Sequence, residues 1–139
     1  MGIEKSKEGR LYTSKVMEHF LKPHHWGKID DADGVGRVGN PICGDVMYIY
    51  LEIKDDIITD IAFETLGCVA AIATSSMASE MVIGKSLKEA WKLTDIDVAN
   101  ALGGLPANKF HCSMLAEEGL RAAIQDFLKK QGRSIDEFK

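Results

Sequence analysis

Alternating hydrophobic and polar positions in the middle of the chain predict a β-hairpin. The first strand, predicted over residues 44–53, places one set of side chains on a single face: Met47, Ile49, Leu51 and Ile53. The second strand, predicted over 57–65, alternates in the same way through Ile57, Thr59, Ile61 and Phe63. Because only the short polar turn at 54–56 separates them, the two strands must be antiparallel. A weaker third strand is predicted around 37–39.

Several other stretches of the chain show helical spacing. A first helix is predicted over 11–21, ended by Pro23. Later helices are predicted from Gly67 to Gly84, from the capping-box residue Ser86 to Leu93, from Thr94 to Gly103, and over 113–130. Because the strands come first and the helices follow, the fold class is α+β, with a small three-stranded antiparallel sheet packed against several helices.

Length and charge limit the classes of protein that fit. The 139 residues favour one domain, predicted over 11–139, behind a flexible charged tail at 1–10. Lys and Arg total 17 against 21 Asp and Glu, for a net charge of −4, so a basic nucleic-acid-binding face is not expected. The longest uncharged stretch, 65–79, is too short to span a bilayer, and the first ten residues have no apolar signal core. We therefore expect a cytoplasmic protein without a membrane partner.

Two motifs match a known pattern but fail in their context. Residues 34–39 read GVGRVG, a literal GxGxxG, yet a predicted loop precedes them and Pro41 follows. A dinucleotide site needs a strand before the motif and a helix after it, so we expect a turn and an edge strand instead. The pair His24–His25 could bind a metal, but two solvated loop histidines are the favoured interpretation.

The cysteines carry the chemical signal. There are three of them, Cys43, Cys68 and Cys112, and an odd number argues against a disulfide framework. Each lies at a predicted junction between elements, and Cys68 and Cys112 precede predicted helices, whose N-termini favour thiolate. Asp45 and His111 stand close to them in sequence and could also bind a metal. A lone cysteine is often a small core residue, but this arrangement indicates a thiolate metal site with the metal undecided.

Three stretches around these cysteines resemble the IscU/NifU N-terminal family of iron–sulfur cluster scaffolds. They are GNPICGDVM at 39–47, FETLGC at 63–68 followed by AIATSS at 71–76, and HCSMLAEE at 111–118. The opening YTSKVMEHF at 12–20 is also similar to the family's first helix. The resemblance covers about residues 11–130, in the family's order.

The resemblance implies a site and an activity. The fold would be IscU/SufE-like, and Cys43, Cys68 and Cys112 would hold a [2Fe–2S] cluster, with either His111 or Asp45 as the remaining ligand. In the family, the aspartate matching Asp45 helps to keep the cluster labile, and zinc can occupy the site in the cluster-free form. The protein would then be a non-enzymatic scaffold and carrier.

The family also implies partners. A cysteine desulfurase would supply persulfide sulfur, accepted first by Cys112 or, failing that, by Cys68, and apo iron–sulfur proteins would receive the cluster. Residues 105–109 read LPANK where many members have the LPPVK motif that an Hsp70-type chaperone binds. Only Leu105, Pro106 and Lys109 match that motif, so the resemblance implies such a chaperone as an optional partner only. Family scaffolds are often monomers when empty, and some form a homodimer around the cluster.

One related group offers an alternative function. Proteins of the SufU type are zinc-dependent sulfur carriers, or sulfurtransferases, and resemble this chain around all three cysteines. They have an insertion between the second and third cysteine blocks and lack the histidine before the last cysteine. Because His111 is present and the insertion is not, the sequence favours the scaffold.

Overall fold

The structure is a computed structural model that describes residues 3–5, 11–40, 45–66, 69–105 and 110–138. For 3–5, 11–12, 40, 45 and 110–113 it describes only the backbone. In chain order the elements are β1 (Ile3–Lys5), β2 (Leu11–Thr13), α1 (Ser14–Leu21), β3 (Gly34–Asn40), β4 (Asp45–Lys54), β5 (Ile57–Leu66), α2 (Val69–Val82), α3 (Leu87–Trp91), α4 (Asp95–Ala101), α5 (Phe110–Lys130) and a final 3-10 turn (Ile135–Phe138).

The main sheet has three antiparallel strands in the order β3-β4-β5, which confirms the predicted α+β fold. A two-residue turn joins β4 to β5, and its residues Asp55 and Asp56 have positive φ angles of 53° and 59°. Two successive positive φ values are typical of a type I′ turn, whose twist matches that of the flanking strands. The predicted hairpin is therefore present, and a register shift lies beside Ile53.

One face of the sheet is buried under helices. Met47, Ile49 and Leu51 of β4 are fully buried or nearly so, and they belong to a core that includes Leu120 and Ile124 of α5. Burying such side chains contributes about 1.5–3 kcal/mol each, so this face accounts for much of the fold's stability. The alternation in the sequence predicted this face correctly.

Helix α2 is buried although several of its residues are polar. Thr74 and Ser75 are almost fully buried, and their hydroxyl groups donate to the carbonyls of Ala70 at 2.7 Å and Ala71 at 2.8 Å. Hydroxyls bonded within their own helix carry little desolvation cost. The helix can therefore pack closely against its neighbours through small side chains.

Four features differ from the sequence prediction. Strand β3 covers Gly34–Asn40 and is longer than the predicted 37–39. Helix α1 begins at Ser14 rather than residue 11, because Thr13 caps it by accepting from the amide of Val16. Helix α5 begins at Phe110 rather than residue 113. The pairing of β1 with β2 was not predicted, since three residues show too little alternation.

The described helices also bear on the question of membranes. Among them, none combines the length and the apolar character needed to cross a bilayer.

Candidate functional site

Three strand ends meet at one end of the sheet. Asn40, the last residue of β3, pairs with Asp45, the first residue of β4. Next to this pair, Val46 of β4 pairs with Leu66, the last residue of β5. The turn at Asp55 and Asp56 lies at the opposite end, about 30 Å away along a ten-residue strand.

The first turn of α5 lies at the same end as Asn40. A Cβ built on Gly34 would meet the carbonyl oxygen of Ala123, and one built on Gly36 would meet that of Gly119. Two residues forward along β3 thus correspond to four residues backward along α5, in agreement with rises of about 3.3 and 1.5 Å per residue. Asn40 is four residues beyond Gly36. By the same ratio it lies beside a position about two helical turns before Gly119, which is the start of α5.

Helix α2 also begins at this end. Its far end lies beside the start of β5, because the amide of Gly84 donates to the carbonyl of Ile58 at 2.8 Å. The helix therefore runs back along the sheet from Val69, which follows closely after Leu66. The ends of three strands and the starts of two helices converge here, and we call this region the convergent end.

Three of the five predicted site residues belong to elements that begin at the convergent end. Asp45 is the first residue of β4, and His111 and Cys112 are the second and third residues of α5, where only the backbone is described. Cys43 and Cys68 lie outside the described residues. Cys112 was predicted to precede the last helix, but it lies within the first turn because α5 starts earlier. That turn is still where the helix dipole favours a thiolate.

The outer face of the sheet beside this end carries an open groove. Its volume is about 370 Å³, and its lining residues are Trp26, Arg37, Val46, Tyr48, Glu64, Thr65 and Leu66. Leu66 is 79% exposed, although it directly precedes the second cysteine segment. Arg37 donates to the Tyr48 hydroxyl at 3.1 Å, and Tyr50 donates to Glu64 at the same distance. Burial raises the pKa of Tyr50, and the hydrogen bond to Glu64 raises it further.

His24 and His25, expected to be two solvated loop histidines, are only half-exposed and contact α2. His25 Nδ1 lies 2.9 Å from the Ser79 hydroxyl, and His24 Nδ1 contacts the carboxylate of Glu80. Both histidines therefore pack against α2. A third histidine, His19, is buried beside them, and this burial lowers its pKa although Glu80 acts in the opposite direction. The sequence did not single out His19 or Glu80, because only the packing of α1 on α2 brings them together.

Comparison with known families places these observations in context. The sequence matches the family described as the NifU-like N terminal domain over residues 11–134. That range includes all five predicted site residues.

Individual relatives cover most of the chain. A protein of Archaeoglobus fulgidus named iron–sulfur cluster assembly scaffold protein IscU 1 is 58% identical over 129 residues, 93% of this chain and 84% of the relative. A scaffold protein IscU of Aquifex aeolicus is 49% identical over 88% of this chain and 79% of its own length. A crystal structure from Fervidobacterium islandicum AW-1, described as a proposed iron–sulfur cluster assembly scaffold for the SUF system, has a TM-score of 0.67 and 25% identity, and the match covers 81% of this chain and 96% of that one.

Proposed function

Because the chain belongs to the family of NifU-like N-terminal domains, we propose that it is a scaffold on which an iron–sulfur cluster is assembled and from which the cluster passes to other proteins. Its relatives with scaffold names match it at 58% and 49% identity. The structural observation that carries the proposal is the convergent end. Cys112 lies in the first turn of α5, which begins there, and in the sequence Cys43 and Cys68 come one or two residues before elements that also begin there.

The proposed ligands are the three cysteines with one further side chain. Cys43 precedes Asp45 by two residues, Cys68 directly precedes α2, and Cys112 lies in the first turn of α5. Thiolate is the form that binds iron, and helix N-termini favour it. Asp45 or His111 would complete the set. A carboxylate or imidazole holds iron differently from a thiolate, so the cluster could be both held and released.

The proposed cargo is a [2Fe–2S] cluster, with zinc as an occupant of the cluster-free site. A mononuclear tetrahedral metal needs four ligands, and three thiolates with one oxygen or nitrogen donor supply them. Four protein ligands also suit a two-iron cluster, in which each iron takes two of them.

The sulfur would come from a cysteine desulfurase that carries a persulfide. In the proposed step, the Cys112 thiolate attacks the terminal sulfur of that persulfide. The sulfur–sulfur bond of the desulfurase breaks, a new one forms on Cys112, and the desulfurase cysteine leaves as a thiolate. Cys68 is the second candidate acceptor. The transfer needs no external oxidant, because Cys112 is oxidised to a persulfide as the desulfurase cysteine is reduced to a thiolate. In this proposal the chain is an acceptor and carrier of the sulfur rather than an enzyme.

The proposal extends to partners, assembly state and location. Apo iron–sulfur proteins would receive the cluster, and the incomplete motif at 105–109 leaves an Hsp70-type chaperone as an optional partner. The empty protein would be a monomer, with a homodimer around the cluster as the loaded alternative. Three cysteines proposed to bind metal as thiolates suit a reducing compartment, which is consistent with the cytoplasm.

A zinc-dependent sulfur carrier of the SufU type is the second candidate, because the Fervidobacterium structure of similar fold bears a SufU name, although its description also calls it a scaffold. The two functions make opposite predictions about colour and metal. A scaffold gives a chromophore with iron and sulfide, whereas a sulfur carrier retains one tightly bound zinc ion, stays colourless and stimulates the desulfurase.

The test is anaerobic reconstitution with iron, a cysteine desulfurase and cysteine, followed by visible spectroscopy and metal analysis. We expect a reddish chromophore that is lost in Cys43→Ala, Cys68→Ala and Cys112→Ala. Ser113→Ala is the matched control, because it follows Cys112 directly and has no proposed ligand role. A colourless wild-type protein with one zinc ion would overturn the scaffold proposal in favour of the sulfur carrier.

A further inference from the structure

Three potential metal ligands come together where α1 and the segment after it pack on α2. They are His19 from α1, His24 from the following segment, and Glu80 from α2. One ligand atom from each lies within 4.8 Å of the other two. His19 Nε2 is 3.8 Å from a Glu80 oxygen, and His24 Nδ1 contacts the other oxygen. The two imidazole rings are 4.7 Å apart between centroids.

The hydroxyl group of Ser76 in α2 contacts both histidines of this cluster and orients them. It lies 2.7 Å from Nδ1 of His19, and it accepts a hydrogen bond of 2.8 Å from the backbone amide of His24. A proton on Nδ1 of His19, donated to Ser76, leaves the lone pair of Nε2 on the side of Glu80. Metal-binding histidines are commonly oriented by such a bond at the second ring nitrogen.

The cluster is open to solvent on one side. The side chain of His19 is 5% exposed, whereas those of His24 and Glu80 are 38% and 36% exposed. An ion can therefore enter from solvent and retain a water molecule, while the buried His19 fixes one ligand position. Two neutral imidazoles and one carboxylate are a ligand set that catalytic zinc sites also use, with water in the fourth position.

We propose that His19, His24 and Glu80 form a second metal site, which takes Zn²⁺ or a similar divalent transition ion and joins α1 to α2. Tetrahedral ligands about 2.0 Å from zinc lie about 3.3 Å apart, so small rotations of the exposed His24 and Glu80 suffice to close the site. The site does not share ligands with the cysteine site. Glu80 lies about 16 Å along α2 from Val69, the end next to Cys68.

The test is equilibrium dialysis of the full-length, cluster-free chain against Zn²⁺, followed by metal analysis. We expect wild type to bind one zinc equivalent more than His24→Ala or Glu80→Gln. His25→Asn is the matched control and should bind as much as wild type, because His25 bonds to Ser79 and its φ of 64° suits asparagine. Equal binding by wild type, His24→Ala and Glu80→Gln would overturn the proposal.

A second measurement locates the ion without substitutions. In nitrogen-detected NMR of the histidine rings, Zn²⁺ should shift Nε2 of His19 and Nδ1 of His24 and leave His25 unchanged. Zinc-dependent shifts at His25 alone would contradict the assignment. The dialysis test compares the zinc content of wild type with that of variants that keep all three cysteines. Its outcome is therefore valid whether or not the cysteines bind zinc. A failed cluster reconstitution would overturn the scaffold function and leave this result intact.

Discussion

Gly36 in β3 and Gly119 in α5 lie so close that a Cβ built on Gly36 would come within 2.3 Å of the Gly119 carbonyl oxygen. This contact sets the distance between helix and sheet. A side chain at Gly36 would push against backbone, which cannot rotate away as a flexible side chain can. The placement of the first turn of α5 at the convergent end therefore depends on the absence of a side chain at this position.

We expect Gly36→Ala to lower the free energy of unfolding by about 3 kcal/mol, because overpacking against a helix backbone forces α5 away from the sheet. Urea denaturation measures the change. Val35→Thr is the control, since Val35 is an exposed residue of the same strand, and it should have little effect. An unfolding midpoint for Gly36→Ala equal to that of wild type would show that α5 can move without lowering the free energy of unfolding.

Asp45→Ala should slow cluster transfer to an apo-acceptor by about tenfold, because Asp45 stands where the proposed cluster is held and released. The rate is followed by circular dichroism in the visible range after mixing the loaded scaffold with the acceptor. Glu52→Ala serves as the control, as it removes an exposed acid near the other end of the same strand. Unchanged transfer by Asp45→Ala would remove this residue from the mechanism.

Ser86→Ala should destabilise the protein by about 1 kcal/mol, since the Ser86 hydroxyl accepts from the amide of Glu89 and caps α3. Thermal unfolding followed by far-ultraviolet circular dichroism measures the loss. Lys88→Ala, in the same helix, should leave the midpoint nearly unchanged. A loss of equal size in both variants would mean that the cap is not the cause.

Asp56→Asn should reduce the pH dependence of stability on the acidic side. Arg133 donates to both carboxylate oxygens of Asp56, at 2.9 and 2.7 Å, and these bonds lower the pKa of Asp56. A lowered folded-state pKa contributes stability that is present above the unfolded value of about 3.9 and is lost as the pH falls below it. Because the Asp56 side chain is 50% exposed, we expect a contribution of at most about 0.5 kcal/mol at neutral pH.

The check is a series of urea denaturations between neutral pH and about pH 2.5, which lies below the unfolded value. Asparagine accepts the positive φ of this turn, so any backbone effect is the same at every pH. The difference between wild type and variant should change on acidification, in the direction that favours the variant. A constant difference would show that the Arg133 contact does not depend on the charge of Asp56.

The sequence predicted the elements that bury one face. Alternation in β4 and β5 and helical spacing in α5 are local signals that any strand or helix with one buried face shows. Helix α2 also shows helical spacing, but it is buried around most of its surface. Strand β3 was predicted too short because Gly34, Gly36 and Gly39 leave little alternation to detect. Those glycines have a tertiary reason, the close packing of α5 on Gly34 and Gly36, which a one-dimensional pattern does not contain.

The candidate site residues also divide into those that a local sequence pattern reveals and those that only the fold brings together. Three cysteines at predicted element junctions were visible in the sequence as an unusual pattern. The cluster of His19, His24 and Glu80 was not, because its members come from segments that meet only when α1 packs on α2. Of the predicted pair, His24 joins this cluster, and His25 turns to Ser79 instead.

The contact of Arg133 with Asp56 has a practical consequence for labelling. It holds the chain after α5 against the hairpin turn, and Phe138 packs nearby against Trp91. A fluorescent tag or fusion partner joined after this segment would therefore start from the part of the fold that carries Trp91 and the hairpin turn, rather than from the convergent end. We therefore expect reporters at that position to leave the strand ends, where cargo is proposed to be exchanged, uncovered.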